Sequence, residues 1–96
     1  MVSRWLTVID DERGTLKLEF WEGLAFIHST FRRKVAALRA AKEIFPQLKL
    51  WLKGMGHDHC YVCIDPADKA LHRFERHFGF RDLCMFMGFL VMAQEC

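Results

Sequence analysis

Between Thr15 and Trp21 apolar and polar residues alternate, with Leu16, Leu18 and Phe20 on one parity and Lys17 and Glu19 on the other. That period of two marks a strand with one buried face. Before it, Ser3 to Ile9 is rich in β-forming residues and ends in the turn Asp10-Asp11-Glu12-Arg13-Gly14. After it, Glu22-Gly23 reads as a tight hairpin turn, and Leu24 to Thr30 is apolar on both parities for most of its length, as a central strand is. Three antiparallel strands in succession are predicted.

The period then lengthens. Ser29 or Thr30 is placed to cap a helix, and Val35, Leu38, Ala41, Phe45, Leu48, Leu52 and Met55 recur in steps of three and four. Such steps lie on one helical stripe. Pro46 interrupts it and removes a backbone donor, which implies either a kink in one helix or the first turn of a second. Gly54 and Gly56 stop the helix. His59 to Ile64 suits a short buried strand. Asp65-Pro66-Ala67-Asp68 opens another helix, with Asp65 as cap, Pro66 at the first helical position and Ala67, Leu71, Phe74 and Phe78 turned inward. Phe80 to Gln94 is apolar and β-like, with Met87-Gly88 as a hairpin turn or a bulge. The order is β-β-β-α-β-α-β(β). This is an α+β fold, a mixed twisted sheet of five or six strands with two helices, in which helical crossovers let some strands lie parallel.

Composition narrows the class. The 96 residues have room for one domain, and 52% hydrophobic content with nine Phe and three Trp supplies its core. A net charge of +2 is too balanced for a nucleic-acid footprint, and Trp5, Trp21 and Trp51 sit on separate elements without a base-stacking motif. No stretch of about 18 apolar residues could span a membrane, and the start has no signal-peptide core. A cytoplasmic chain with reduced thiols at Cys60, Cys63, Cys84 and Cys96 is expected.

The element order, with Asp65-Pro66 at a strand end, Ala70-Leu71, Phe74-Glu75-Arg76 and then Gly79-Phe80, resembles the GNAT (acyl-CoA N-acyltransferase) fold. The similarity covers nearly the whole chain but only the later two-thirds of the family's fold, because the family's first two helices have no counterpart. Small proteins of this shape are frequent in bacteriophage genomes, which by analogy implies a host cytoplasm. The resemblance implies a coenzyme A pyrophosphate at the turn after the central strand. The matching stretch here is Arg32-Arg33-Lys34-Val35-Ala36-Ala37. Arg32 and Ala37 fit the family pattern, and Arg32, Arg33 and Lys34 supply charge. Val35 stands where a glycine would let the phosphate reach the backbone amides. The family's general acid is a tyrosine on the last helix, and here Phe74 or Glu75 takes that place. Glu75 could serve only with its pKa raised by burial. His28, near the end of the central strand, is the candidate base.

Two other features carry chemistry. His57, His59, Cys60 and Cys63 could offer four zinc ligands, yet on a strand Cys60 and Cys63 point to opposite faces. The tail around Phe86, Phe89 and Val91 is nearly free of charge, and a strand that apolar needs cover. With the family's first helices missing, a surface built from this tail, Trp21 and the Trp51 helix is expected to bind a protein partner or a second copy as a homodimer. The leading expectation is a non-catalytic binding or accessory protein with a degenerate acyl-CoA site and no cofactor. The competing one is an acetyl-CoA-dependent N-acetyltransferase, and a structural zinc module is the third.

Overall fold

The computed structural model describes residues 3–96. Three strands come first: β1 (Arg4–Asp11), β2 (Gly14–Trp21) and β3 (Leu24–Phe31). A helical run follows, made of α1 (Lys34–Arg39), a π-helical turn (Ala40–Ile44) and α2 (Phe45–Gly54). Then come β4 (His59–Ile64), α3 (Lys69–His77), β5 (Arg81–Phe86) and β6 (Phe89–Glu95). The strands form one sheet in the order β1-β2-β3-β4-β6-β5. Its ladders are antiparallel except at β3–β4, which is parallel. Two-residue turns close both tight hairpins, with positive φ at Glu22 and Gly23 and again at Met87 and Gly88. That backbone matches the right-handed twist of the flanking strands. Met87-Gly88 is therefore the turn, and the irregularity in this hairpin falls between Asp82 and Cys84 instead.

All the helices cover one face. Leu16 and Leu18 of β2, Ala25 and Ile27 of β3, Cys60, Val62 and Ile64 of β4 and Met92 of β6 pack with Leu48 and Leu52 of α2. A register shift between Thr7 and Ile9 turns Ile9 into the same core, opposite Leu16. Among the described residues nothing covers the opposite face, and no helix is long and apolar enough to cross a membrane.

Four local expectations are corrected. Ser29 and Thr30 do not cap a helix, because β3 continues to Phe31. Arg33 is the N-cap and its side chain makes no capping bond. The apolar stripe also shifts. Ala40, Leu48 and Leu52 are buried while Val35 and Met55 are exposed, because the π turn inserts an extra residue and resets the helical phase. That turn also answers the question of Pro46: the Phe45 N–H reaches back to the Ala40 carbonyl, and Pro46 falls in the first turn of α2, within one continuous helical run. At the third helix the cap is Asp68, whose Oδ1 accepts from the Leu71 N–H at 3.0 Å. Asp65 is occupied in closing a separate turn, accepting from the Ala67 N–H on its side chain and from the Asp68 N–H on its carbonyl, both at 2.9 Å. Finally, no residue of α3 is fully buried: Leu71 is exposed and Phe74 is half-buried, while Ala67, before the helix, is exposed and Phe78, just after it, is half-buried, both phenylalanines lining a cavity.

Candidate functional site

The parallel joint is the weakest seam of the sheet. β3 and β4 share a single registered pair, Phe26 with Tyr61. Beyond it β3 runs on to Phe31 and β4 to Ile64. On the helix side this divergence leaves a cavity of about 60 Å³ between the two strands, the π turn and α3. Phe31, Phe45, Phe74, Phe78 and Phe80 crowd it, and Ala37 also lines it. Glu75 is its one ionisable wall residue. Burial pushes the Glu75 carboxyl up to about 7, so at neutral pH it holds a proton about half the time and can donate it. Of the two residues that could replace the family's tyrosine, both face the cavity and only Glu75 has a proton to give.

At the mouth of the seam, Arg32, Arg33 and Lys34 are exposed. No acid lies in the first turn of α1, so three bases meet the positive end of the helix dipole. The backbone there is partly spent. The Arg32 N–H donates to the Arg13 carbonyl at 3.1 Å, and the Ala36 and Ala37 N–H groups both donate to the Arg33 carbonyl. Val35 is 54% exposed and turns toward a groove with Ile9, Arg13 and Arg39.

His28 points to the other face. Its Nε2 lies 2.9 Å from Glu19 Oε1, and its ring stands 4.8 Å from that of Trp5. The structure thus separates His28 from Glu75 by the thickness of the sheet. Glu19 is the partner that residue spacing did not reveal. The hairpin register could have found it, since a two-residue turn at Glu22-Gly23 sets Lys17 against His28 and brings Glu19 to the diagonal.

The zinc candidates do not converge. Cys60 is fully buried in the core, and burial pushes its thiol up to about 12, too high for a reactive thiolate. Cys63 is exposed on the opposite face, His57 stacks on Phe20, and His59 borders a surface groove with Tyr61 and Arg81. Among the described residues no group of three His, Cys, Asp or Glu could hold a metal.

The bare face of the sheet carries an apolar trough of about 400 Å³. Trp21, Phe26, Tyr61, Phe86 and Val91 form its floor and walls. Phe89, two residues before Val91 on β6, shares that face by strand alternation. Trp51 does not join them. It is exposed on α2, on the helix-covered side.

No family model and no curated protein matches the chain, but solved structures do. It superposes on the PaiA N-acetyltransferase of Thermoplasma acidophilum, solved in complex with coenzyme A, with a TM-score of 0.72 at 13% identity. The chain has a GNAT-like fold. The match covers 86% of this chain and 53% of that one, so the chain spans about half the length of this neighbour. A protein assigned as an acetyltransferase from Agrobacterium tumefaciens matches with a TM-score of 0.60 at 15% identity, over 99% of this chain and 75% of that one. The GNAT-like sheet explains the seam. Its splay lies between the central strand and the strand after the helical crossover, beside the turn at which the resemblance placed the coenzyme A pyrophosphate.

Proposed function

We propose that this chain is a GNAT-like binding or accessory protein of the cytoplasm that acts through protein contacts rather than by acyl transfer. The observation that carries this reading is the bare sheet face with its 400 Å³ apolar trough. Trp21, Leu83 and Phe86, all exposed, line it together, and exposed apolar surface with a polar rim is where partners bind. The acyl-CoA side supports it. A cavity of about 60 Å³ holds roughly two waters at ~30 Å³ each, and five phenylalanines line it. A pantetheine arm would need these rings to part before it entered the seam, which supports the non-catalytic reading.

Isothermal titration with acetyl-coenzyme A tests the reading. Binding weaker than about 100 µM, or −5.5 kcal/mol, is expected, together with no release of thiol in the presence of amines. Tighter binding with turnover would replace this reading by the second one, an N-acetyltransferase. One specific observation favours that alternative: the protonatable Glu75, held near neutrality inside the seam.

A further inference from the structure

The two faces of the sheet differ in what they offer to a partner. On the bare face the centre of the trough is Phe26 on β3, Tyr61 and Cys63 on β4 and Val91 on β6, and the Glu19–His28 pair forms its β2 edge. Charges lie on the flanks and at the ends, and both signs alternate there. Lys17 and Glu19 sit on β2, Arg81 on β5 and Glu95 on β6. An uncharged centre inside a mixed polar rim is the anatomy of a protein interface. It is the wrong surface for a polyanion, which needs one sign. It also suits its own image, because apolar centres meet without repulsion and the rim carries both signs.

The surface area points the same way. The chain exposes 6704 Å², whereas a compact monomer of this mass exposes about 5,700 Å². Elongation does not account for the difference, since the radius of gyration is 12.8 Å against about 12.5 Å for a compact chain of this length. Trp5, Trp21, Leu83 and Phe86 of the bare face contribute to this surplus along with Leu50 and Trp51 of the helix side, and a standard stable interface takes ~800 Å² from each partner.

We propose that two copies of this chain pack their bare sheet faces together about a two-fold axis near the Phe26–Tyr61 column, placing the helices on the outside of a four-layer dimer. This rests on reading that face as a docking surface, and it names the occupant. The sheets would meet ~10 Å apart and be rotated by about 30°, as twisted sheets stack.

Light scattering on the eluting 96-residue chain at about 100 µM is expected to give twice the 11.3 kDa chain mass. Tyr61→Lys puts an unpaired charge at the centre and should weaken the dimer at least about 30-fold, as loss of a hot-spot residue does, with the far-UV circular dichroism unchanged. Trp21→Lys, at an exposed hairpin end, should do the same if Tyr61→Lys does not fold. Trp51→Lys, on the helix side, should leave the dimer intact. A monomer at that concentration, a dimer surviving both face variants, or dissociation by Trp51→Lys would overturn the proposal. The thioester titration scores the non-catalytic reading separately. A dimer that turns over acetyl-coenzyme A removes that reading and leaves the interface standing, while an inert monomer does the reverse.

Discussion

Replacing Glu75 by Gln should stabilise the protein at pH 8 and gain nothing at pH 4. Burial raises the Glu75 carboxyl from an ordinary 4.5 to about 7 in the folded chain, while in the unfolded chain it titrates near its ordinary value. Below 4.5 both states hold the proton and folding bears no cost from this group. Between 4.5 and 7 the folded state holds more protons than the unfolded one, so stability falls as pH rises. Above 7 both states are ionised and the full cost of a desolvated carboxylate is present. The difference corresponds to about 3 kcal/mol. Glu75 is only half-buried, and solvent screening reduces this to about 2 kcal/mol.

The amide has nearly the same shape as the carboxyl and no charge, so Glu75→Gln removes the pH-dependent part alone. Any fixed cost of seating an amide in the cavity is the same at both pH values and cancels in the comparison. Urea or thermal unfolding of both proteins at about pH 4 and about pH 8 measures the double difference. The variant should melt roughly 10 °C or more above the parent at the higher pH, given 4–8 °C per kcal/mol for a domain of this size. The two should stand in an unaltered relation at the lower pH. Equal stability differences at both pH values would refute the reasoning. They would mean that water reaches Glu75 freely and that the seam is not a low-dielectric site.

Four other substitutions probe the frame that holds the seam. Gly14→Ala would drive a Cβ into the Thr30 carbonyl oxygen at a backbone φ of +137°, and a loss of about 3 kcal/mol or more is expected in chemical unfolding. Asp68→Ala removes the cap of α3 and should cost about 1 kcal/mol, whereas Asp65→Ala should leave the Leu71 capping bond in place, a contrast readable by amide exchange at Leu71. Gln94→Ala breaks a relay in which Lys49 Nζ donates to Gln94 Oε1 at 2.6 Å and Gln94 Nε2 donates to the Phe78 carbonyl at 3.0 Å. A loss of about 1–2 kcal/mol in unfolding free energy, with faster amide exchange at the end of α3, is expected.

The alternation in Thr15–Trp21 and the dipeptide Glu22-Gly23 place the first three strands, because strand period and turn chemistry act locally, whereas Met87-Gly88 reads equally as a turn or a bulge. Caps were harder to assign. Asp65 and Asp68 flank the same Pro66, and either could begin a helix. The choice depends on where β4 releases the chain, which no local residue reports. The π turn was invisible for a related reason: Ala40, Ala41 and Ile44 satisfy a regular stripe as well as a shifted one. The candidate site was legible only in pieces. Glu75 was identified as a group needing burial, but the burial comes from Phe31, Phe45 and Phe80 on three other segments. Sequence spacing carries no record of their convergence. Trp51 and Trp21 look alike in sequence, both large and apolar, and only the side on which the helices pack separates them.

The Phe26–Tyr61 pair belongs to both faces at once. Its backbone is the one registered link across the parallel joint, and its side chains, with ring centroids 5.5 Å apart, lie on the bare face. Whatever presses on that face therefore bears on the strands whose separation sets the size of the Glu75 cavity. A lysine at position 61 would draw water to the joint and loosen it. Glu75 should then titrate closer to an ordinary carboxylate in Tyr61→Lys than in the parent, as read by carboxyl NMR. Trp21→Lys perturbs the same face away from the joint and should leave that titration where it was. If both variants lower it equally, docking acts on Glu75 through the face as a whole and not through the seam. If neither does, the cavity is held by its phenylalanines alone, and the two sides of the sheet work independently.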